Sequence, residues 1–160
     1  MVHINIICVG KVKEKFFCEA ITEYSKRLSR FCSLNIIEVA DEKIPENSGI
    51  SMDEIIKKKE GLNILSHIKK DSYVIALDLA GKEYSSIDFA NKLNNLYSNI
   101  NSNITFIIGG SLGLSKEVLQ ASNELISFSK MTFPHQLIRI FLLEQIYRAF
   151  KIINNETYHK

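Results

Sequence analysis

Runs rich in isoleucine and valine recur along the chain at residues 2–9, 34–39, 73–79, 104–108 and 125–129, each bounded by Gly, Asp, Asn or Ser. Short apolar runs with such boundaries read as buried strands. Between them the period changes to that of a helix. Phe17, Ala20, Ile21, Tyr24, Leu28 and Phe31 share one face opposite Lys and Glu. A second helix is predicted from a capping box, Ser51 with Glu54 three residues later, to Ile68, with Lys57, Lys58 and Lys59 on a solvated face. A third begins near Ser86 and is predicted to bury Phe89, Leu93, Leu96 and Ile100. A short fourth follows Ser115 as N-cap, and the last runs from Pro134 to about Ile153, with proline in the first turn where its missing N–H is not needed. Alternation of strand and helix from end to end predicts a single-domain α/β fold over residues 1–160, a mainly parallel sheet flanked by helices.

The last helix is apolar around most of its circumference. Leu137, Ile138, Ile140, Phe141, Leu142, Leu143, Ile146, Tyr147, Phe150, Ile152 and Ile153 leave Glu144, Arg148 and Lys151 on one narrow edge. Glu144 and Arg148 stand i, i+4 in the favourable order. A helix apolar on two sides needs two partners, and the expectation is its own sheet on one side and a second copy of the chain on the other.

Composition narrows the picture little. With 46% hydrophobic and 24% charged residues and a formal charge of +2, the chain has the make-up of a globular domain and too little charge to announce nucleic acid. The basic excess gathers late, where Lys130, Arg139, Arg148, Lys151 and Lys160 oppose Glu144 and Glu156. Cys8, Cys18 and Cys32 are odd in number and lack Cys-x-x-Cys spacing, so free core cysteines are expected rather than disulfides or a zinc site. The first apolar run is too short for a signal peptide and none reaches the ~18 residues of a membrane span, which predicts a cytoplasmic protein with no membrane partner.

Three stretches carry candidate chemistry. Ile107-Ile108-Gly109-Gly110-Ser111-Leu112-Gly113-Leu114 runs from a strand into a glycine-rich turn. Glycines there let backbone approach a ligand and leave N–H groups free to donate to it. The turn is neither Gly-x-Gly-x-x-Gly nor a Walker motif. Ser127-Phe128-Ser129-Lys130-Met131-Thr132-Phe133-Pro134-His135 leaves the last strand and enters the last helix, and ligands of open α/β sheets sit beyond such strand ends. His135 alone reads as a helix-end hydrogen bonder. The tail Tyr158-His159-Lys160 reads either as a frayed end or as an aromatic, an imidazole and a cation that stack on and contact an RNA base.

Together with Ile6-Ile7-Cys8-Val9-Gly10-Lys11-Val12-Lys13, the Asp41-Glu42-Lys43-x-Pro45-Glu46-Asn47 loop and Glu144-Gln145-x-Tyr147-Arg148-Ala149, these stretches resemble the ribosomal RNA large subunit methyltransferase H family, of the SPOUT class. The resemblance spans the whole chain. It implies methylation of N3 of a pseudouridine in large-subunit (23S) ribosomal RNA on assembled ribosomes, with S-adenosylmethionine as donor. It also implies a homodimer and a C-terminal trefoil knot, a feature that pattern reasoning alone would reject. Cofactor contacts carry over to Leu77, Gly109, Phe128, Ser129, Lys130, Met131, Thr132 and Phe133. RNA contacts carry over to Arg139, Tyr158, His159 and Lys160. Leu112 is more apolar than expected within the turn. Asn155 stands where relatives often have glycine, and Asn also tolerates the left-handed conformation of a helix end.

A sulfonium-activated methyl group requires neither metal nor covalent nucleophile, only alignment and removal of the N3 proton. His159 is the expected base or substrate contact and Arg139 the expected stabiliser of an oxyanion or phosphate. Two other readings compete. A non-catalytic ribosome-associated RNA-binding protein explains the basic tail but leaves both ligand-type turns unused. A dinucleotide oxidoreductase explains the layering, but Val9-Gly10-Lys11-Val12-Lys13 has one glycine where its fingerprint needs three.

Overall fold

A computed structural model describes all 160 residues. The elements follow in order: β1 Val2–Val9, α1 Lys15–Leu28, β2 Cys32–Val39, α2 Ile50–His67, β3 Tyr73–Glu83, α3 Ser86–Asn95, β4 Asn103–Ile108, α4 Lys116–Ala121, β5 Glu124–Ser127 and α5 His135–Ile153. The sheet has the order β2-β1-β4-β3-β5, and every pairing is parallel. Parallel strands are covered on both faces, which is why their sequences read as apolar runs rather than alternations. The two faces have separate cores. Ile4, Ile6 and Cys8 of β1 join Ile104, Phe106 and Ile108 of β4 against α1, α3 and α5. Ile7 and Val9 turn to the opposite face, where Ile107, Val74 and Ala76 meet Ile64 of α2 and Val118 of α4.

All five strands and all five helices occur where the pattern predicts them, with local differences. Helix α2 starts at Ile50 with Gly49 as N-cap and no side-chain cap. Ser51 therefore lies inside the first turn and makes no capping box. The local bonds go elsewhere: Ser48 Oγ donates to Asp53 Oδ1 at 2.8 Å, and Glu54 pairs with Lys57 at 2.7 Å. Ser115 does cap α4, accepting from Val118 N at 3.3 Å. Beyond α3 the chain widens at residues 96–100 to an i→i+5 turn, closed by Asn101 N donating to Leu96 O at 2.8 Å. The wider turn rotates Ile100 off the apolar face, and it is 59% exposed rather than buried. Cys8 and Cys32 are core residues, with thiols pushed up to about 12 by burial, whereas Cys18 lies on the exposed side of α1.

Helix α5 packs between α1 and α3 over the sheet. Its end is closed by Asn155 at φ 53°, with Glu156 N donating to Lys151 O at 2.9 Å and Asn155 N to Ile152 O at 3.1 Å. This is the asparagine left-handed cap expected from the sequence. Flanking helices of the same chain thus cover much of the second apolar side of α5. Phe141 remains 37% exposed, near a second cleft it lines with Phe89, Phe133 and Gln145.

The approach of β3 to β5 is tight. Leu77 and Lys82 both align with Ile126, so residues 78–81 bow out between two contacts with the same partner. A Cβ on Gly81 would lie 2.5 Å from the Ile126 carbonyl carbon, a backbone atom with no room to yield. Gly81→Ala is therefore expected to destabilise the fold by about 2–3 kcal/mol. The check is a lower urea midpoint at unchanged denaturant slope.

Candidate functional site

The carboxyl ends of β3, β4 and β5 open into a cleft of about 750 Å³, within the size range of small-molecule sites. Leu77 comes from β3, Gly109 and Gly113 from the turn after β4, and Phe128 to His135 from the link between β5 and α5. The glycine turn is closed by Gly113 N donating to Gly110 O at 3.1 Å, with Gly113 at φ 85°. Gly109 is required for a different reason: a Cβ there would stand 2.9 Å from the Gly113 carbonyl carbon and 3.0 Å from Leu114 Cδ2. The β5–α5 link is ordered by its own serines. Ser127 Oγ donates to Ser129 O at 2.8 Å, and Ser129 Oγ accepts from Met131 N at 3.0 Å. Of the eight residues expected to contact a cofactor, all but Lys130 line this one cleft; Lys130 is exposed outside it.

Arg139 stands one turn into α5 and is 2% exposed. Its guanidinium donates to Val9 O and Gly10 O, each at 2.8 Å, and to Glu38 Oε2 at 2.9 Å. Glu38 Oε2 also accepts from Val12 N at 3.0 Å. In this structure the guanidinium expected to hold an oxyanion or phosphate is engaged within the fold. Both terminal nitrogens are committed to the fold, and only Nε lacks a partner, buried. The residue positions the end of β1 against the start of α5.

Comparison with known proteins settles the family. The family model described as "Predicted SPOUT methyltransferase" matches residues 2–159. A protein named "Ribosomal RNA large subunit methyltransferase H" from Clostridium botulinum (strain Hall) is 60% identical over 158 residues, 99% of this chain and 99% of that protein. The chain belongs to the ribosomal RNA large subunit methyltransferase H family of SPOUT methyltransferases. A protein of the same name from Clostridium novyi (strain NT) is likewise 60% identical over 99% of both chains. Among solved structures, a probable methylase family protein from Haemophilus influenzae superposes with a TM-score of 0.58 at 15% identity, covering 100% of this chain and 72% of that one. That likeness concerns the fold alone.

The tail of this SPOUT family member lies away from its cleft. At about 1.5 Å per residue, the helical rise from His135 to Arg148 is roughly 20 Å. At that far end His159 Nδ1 stands 3.1 Å from Arg148 Nη1, and Arg148 lies 4.8 Å over the Tyr158 ring. Tyr158 packs edge-on against Tyr147 at 5.0 Å between centroids. Arg148 keeps the predicted pair with Glu144, at 2.6 Å. Tyr158 and His159 are thus half-buried and held, not frayed, while Lys160 is exposed.

Sequence reasoning missed Asp78, Leu79 and Ile138 as cleft residues and left His135 as a helix end, although all four line the cleft. Asp78 and Leu79 belong to the bowed segment after Leu77, a register irregularity with no local signal. His135 had a signal, its position directly after the ligand-type link. The loop after β2 is tied down nearby, where Glu42 N donates to the buried Glu60 at 3.0 Å; burial, opposed by that bond, holds the Glu60 carboxyl above its usual range.

Removing Arg139 would take its charged partner from Glu38, which keeps only Val12 N, and the guanidinium from the carbonyl oxygens of Val9 and Gly10. Arg139→Ala is expected to cost about 3 kcal/mol in urea unfolding. Arg139→Lys should recover only part of that, because an ammonium cannot span three acceptors as a planar fork does. A loss below about 1 kcal/mol for the alanine variant would show that the clamp is dispensable.

Proposed function

We propose that this chain transfers the methyl group of S-adenosylmethionine to N3 of a pseudouridine in large-subunit ribosomal RNA, acting as a cytoplasmic homodimer on assembled ribosomes. The observation that carries the reading is the convergence of Leu77, the Gly109–Gly113 turn and the 128–133 link, distant in sequence, on one cleft at the ends of parallel strands. The names of the relatives at 60% identity support the ribosomal RNA substrate. The family resemblance supports the pseudouridine target and the trefoil knot.

The cleft suits the cofactor. Leu77, Phe128, Phe133 and Ile138 offer apolar walls for an adenine ring and a thioether chain. Gly109 lets the glycine turn close on itself at the cleft, because a Cβ there would meet the Gly113 backbone. Bound S-adenosylmethionine supplies a methyl carbon already activated by a sulfonium. The chain's own contribution is to exclude water with those walls, to read polar edges with backbone groups of the two turns, and to fix the direction of approach. Tyr158, His159 and Lys160 are assigned to RNA. They stand roughly 20 Å along α5 from the cleft of their own chain. A homodimer brings a second tail, and the exposed Phe141 beside the second cleft supports that assembly.

Calorimetry with S-adenosylmethionine and with NADH tests the cofactor. Binding of the first and not the second is expected, and Gly109→Ala should weaken it by about tenfold or more, since one lost 1.4 kcal/mol suffices for that. Affinity for NADH, or unchanged S-adenosylmethionine affinity in a folded Gly109→Ala variant, would remove this reading of the cleft.

Deletion of residues 158–160 tests the tail separately. Cofactor affinity and the dimer seen by sedimentation should persist while methylation of ribosomes falls by about a hundredfold or more, the scale of a lost positioning contact. Full methylation without the tail would exclude it from the RNA site.

A further inference from the structure

Methylation of an imide nitrogen needs a proton acceptor, and two imidazoles on or beside α5 are candidates. His159 has Nδ1 engaged with Arg148 at 3.1 Å, at the far end of α5 from the cleft. His135, the first residue of α5, lines the cleft itself, together with Phe133 and Gly109. It is half-buried, and no hydrogen bond within the chain engages its ring, whereas His67 Nδ1 lies 2.8 Å from Asn63 O.

We propose that His135 is the proton acceptor of the methyl transfer, taking the N3 proton of the RNA base in the cleft. The inference rests on the reading of this cleft as the S-adenosylmethionine site. In the step, the N3–H bond breaks and its proton passes to a His135 ring nitrogen. N3 forms its bond to the methyl carbon as the carbon–sulfur bond breaks, and sulfur keeps that electron pair as a neutral thioether. The imidazolium then returns its proton to solvent.

The surroundings of the ring suit both halves of this cycle. Burial, and then the Arg139 guanidinium one turn along α5, hold the His135 pKa below the ordinary imidazole range, so the free enzyme presents the neutral ring at neutral pH. Asp41, from the loop after β2, and Glu14, at the start of α1, act in the opposite direction and favour the imidazolium once it forms. An acceptor with a pKa near or just below working pH is the efficient kind. The Arg139 clamp thereby acquires a second effect, on the charge of the ring beside it.

The test is single-turnover methylation of unmodified ribosomes at saturating S-adenosylmethionine, followed across pH, with calorimetric affinities and melting curves for each variant. In the wild type the rate should fall as pH drops through the lowered His135 pKa and level off above it. His135→Gln, which hydrogen-bonds without accepting the proton, should lose about 10²–10⁴-fold in plateau rate and abolish the acidic limb, with S-adenosylmethionine affinity within about twofold of wild type. Added imidazole should restore part of the His135→Ala rate. His159→Gln should keep the acidic limb whatever its rate. A His135→Gln enzyme that keeps the rate and the limb would overturn the assignment. So would loss of cofactor affinity in proportion to rate, or a limb that disappears only in His159→Gln. Failure of the wild type to bind S-adenosylmethionine or to methylate ribosomes would instead sink the reading of the cleft.

Discussion

A single guanidinium ties the architecture together. Arg139 reaches from the first turns of α5 to the carbonyls of Val9 and Gly10 at the end of β1, and through Glu38 to the end of β2. The start of α5, held in this way, is the part that lines the cleft, through Pro134, His135 and Ile138. An arginine this buried is tolerated only because its terminal donors find acceptors, and backbone carbonyls beyond a strand end are acceptors with no ladder partner. Glu38 passes the constraint on through Val12 N to the turn that leads into α1. The result is a fixed relation between the N-terminal strand and the C-terminal helix, segments about as far apart in sequence as the chain permits.

The cleft itself lies at the carboxyl edge of the sheet, beyond β3, β4 and β5. Two glycines near that edge, one in the bowed part of β3 and one after β4, stand where a side chain would collide. Gly109 is forced by the Gly113 backbone, and Gly81 by the Ile126 backbone. The constraint in both cases is close approach of main chain to main chain, not a positive φ. A parallel sheet permits such crowding because its strands are covered on both faces, so the connections must pack over one another at the ends.

Strands and helices were legible because burial on two faces imposes continuous apolar runs, and burial on one imposes a 3.6-residue stripe. The runs at 73–79 and 104–108 therefore marked β3 and β4 to within a few residues, and Ser115 marked the start of α4. Failures came where a local pattern had two physical solutions. Ser51 with Glu54 satisfied a capping rule, but Gly49 already offered the turn and Ser48 found Asp53 instead. Ile100 continued a 3.6-residue stripe that the backbone abandons for a wider turn. Cys18 has the composition of a core residue and the position of a surface one.

For the site, the glycine turn and the β5–α5 link could be picked out from residues alone, because each joins a strand end to backbone groups left without ladder partners. The family resemblance added Leu77, which has nothing local to distinguish it from its neighbours in β3. The sequence by itself determined which segments carry ligand-type backbone and that α5 is too apolar for one contact. Tertiary structure alone decided that Arg139 is engaged by β1 and Glu38, and that His135 lines the cleft while His159 stands at the other end of α5. The physical reason is common to both outcomes. A side chain's chemistry is a property of its residue type, but its availability depends on which acceptors, charges and solvent the fold brings to it, and those come from segments a hundred residues away.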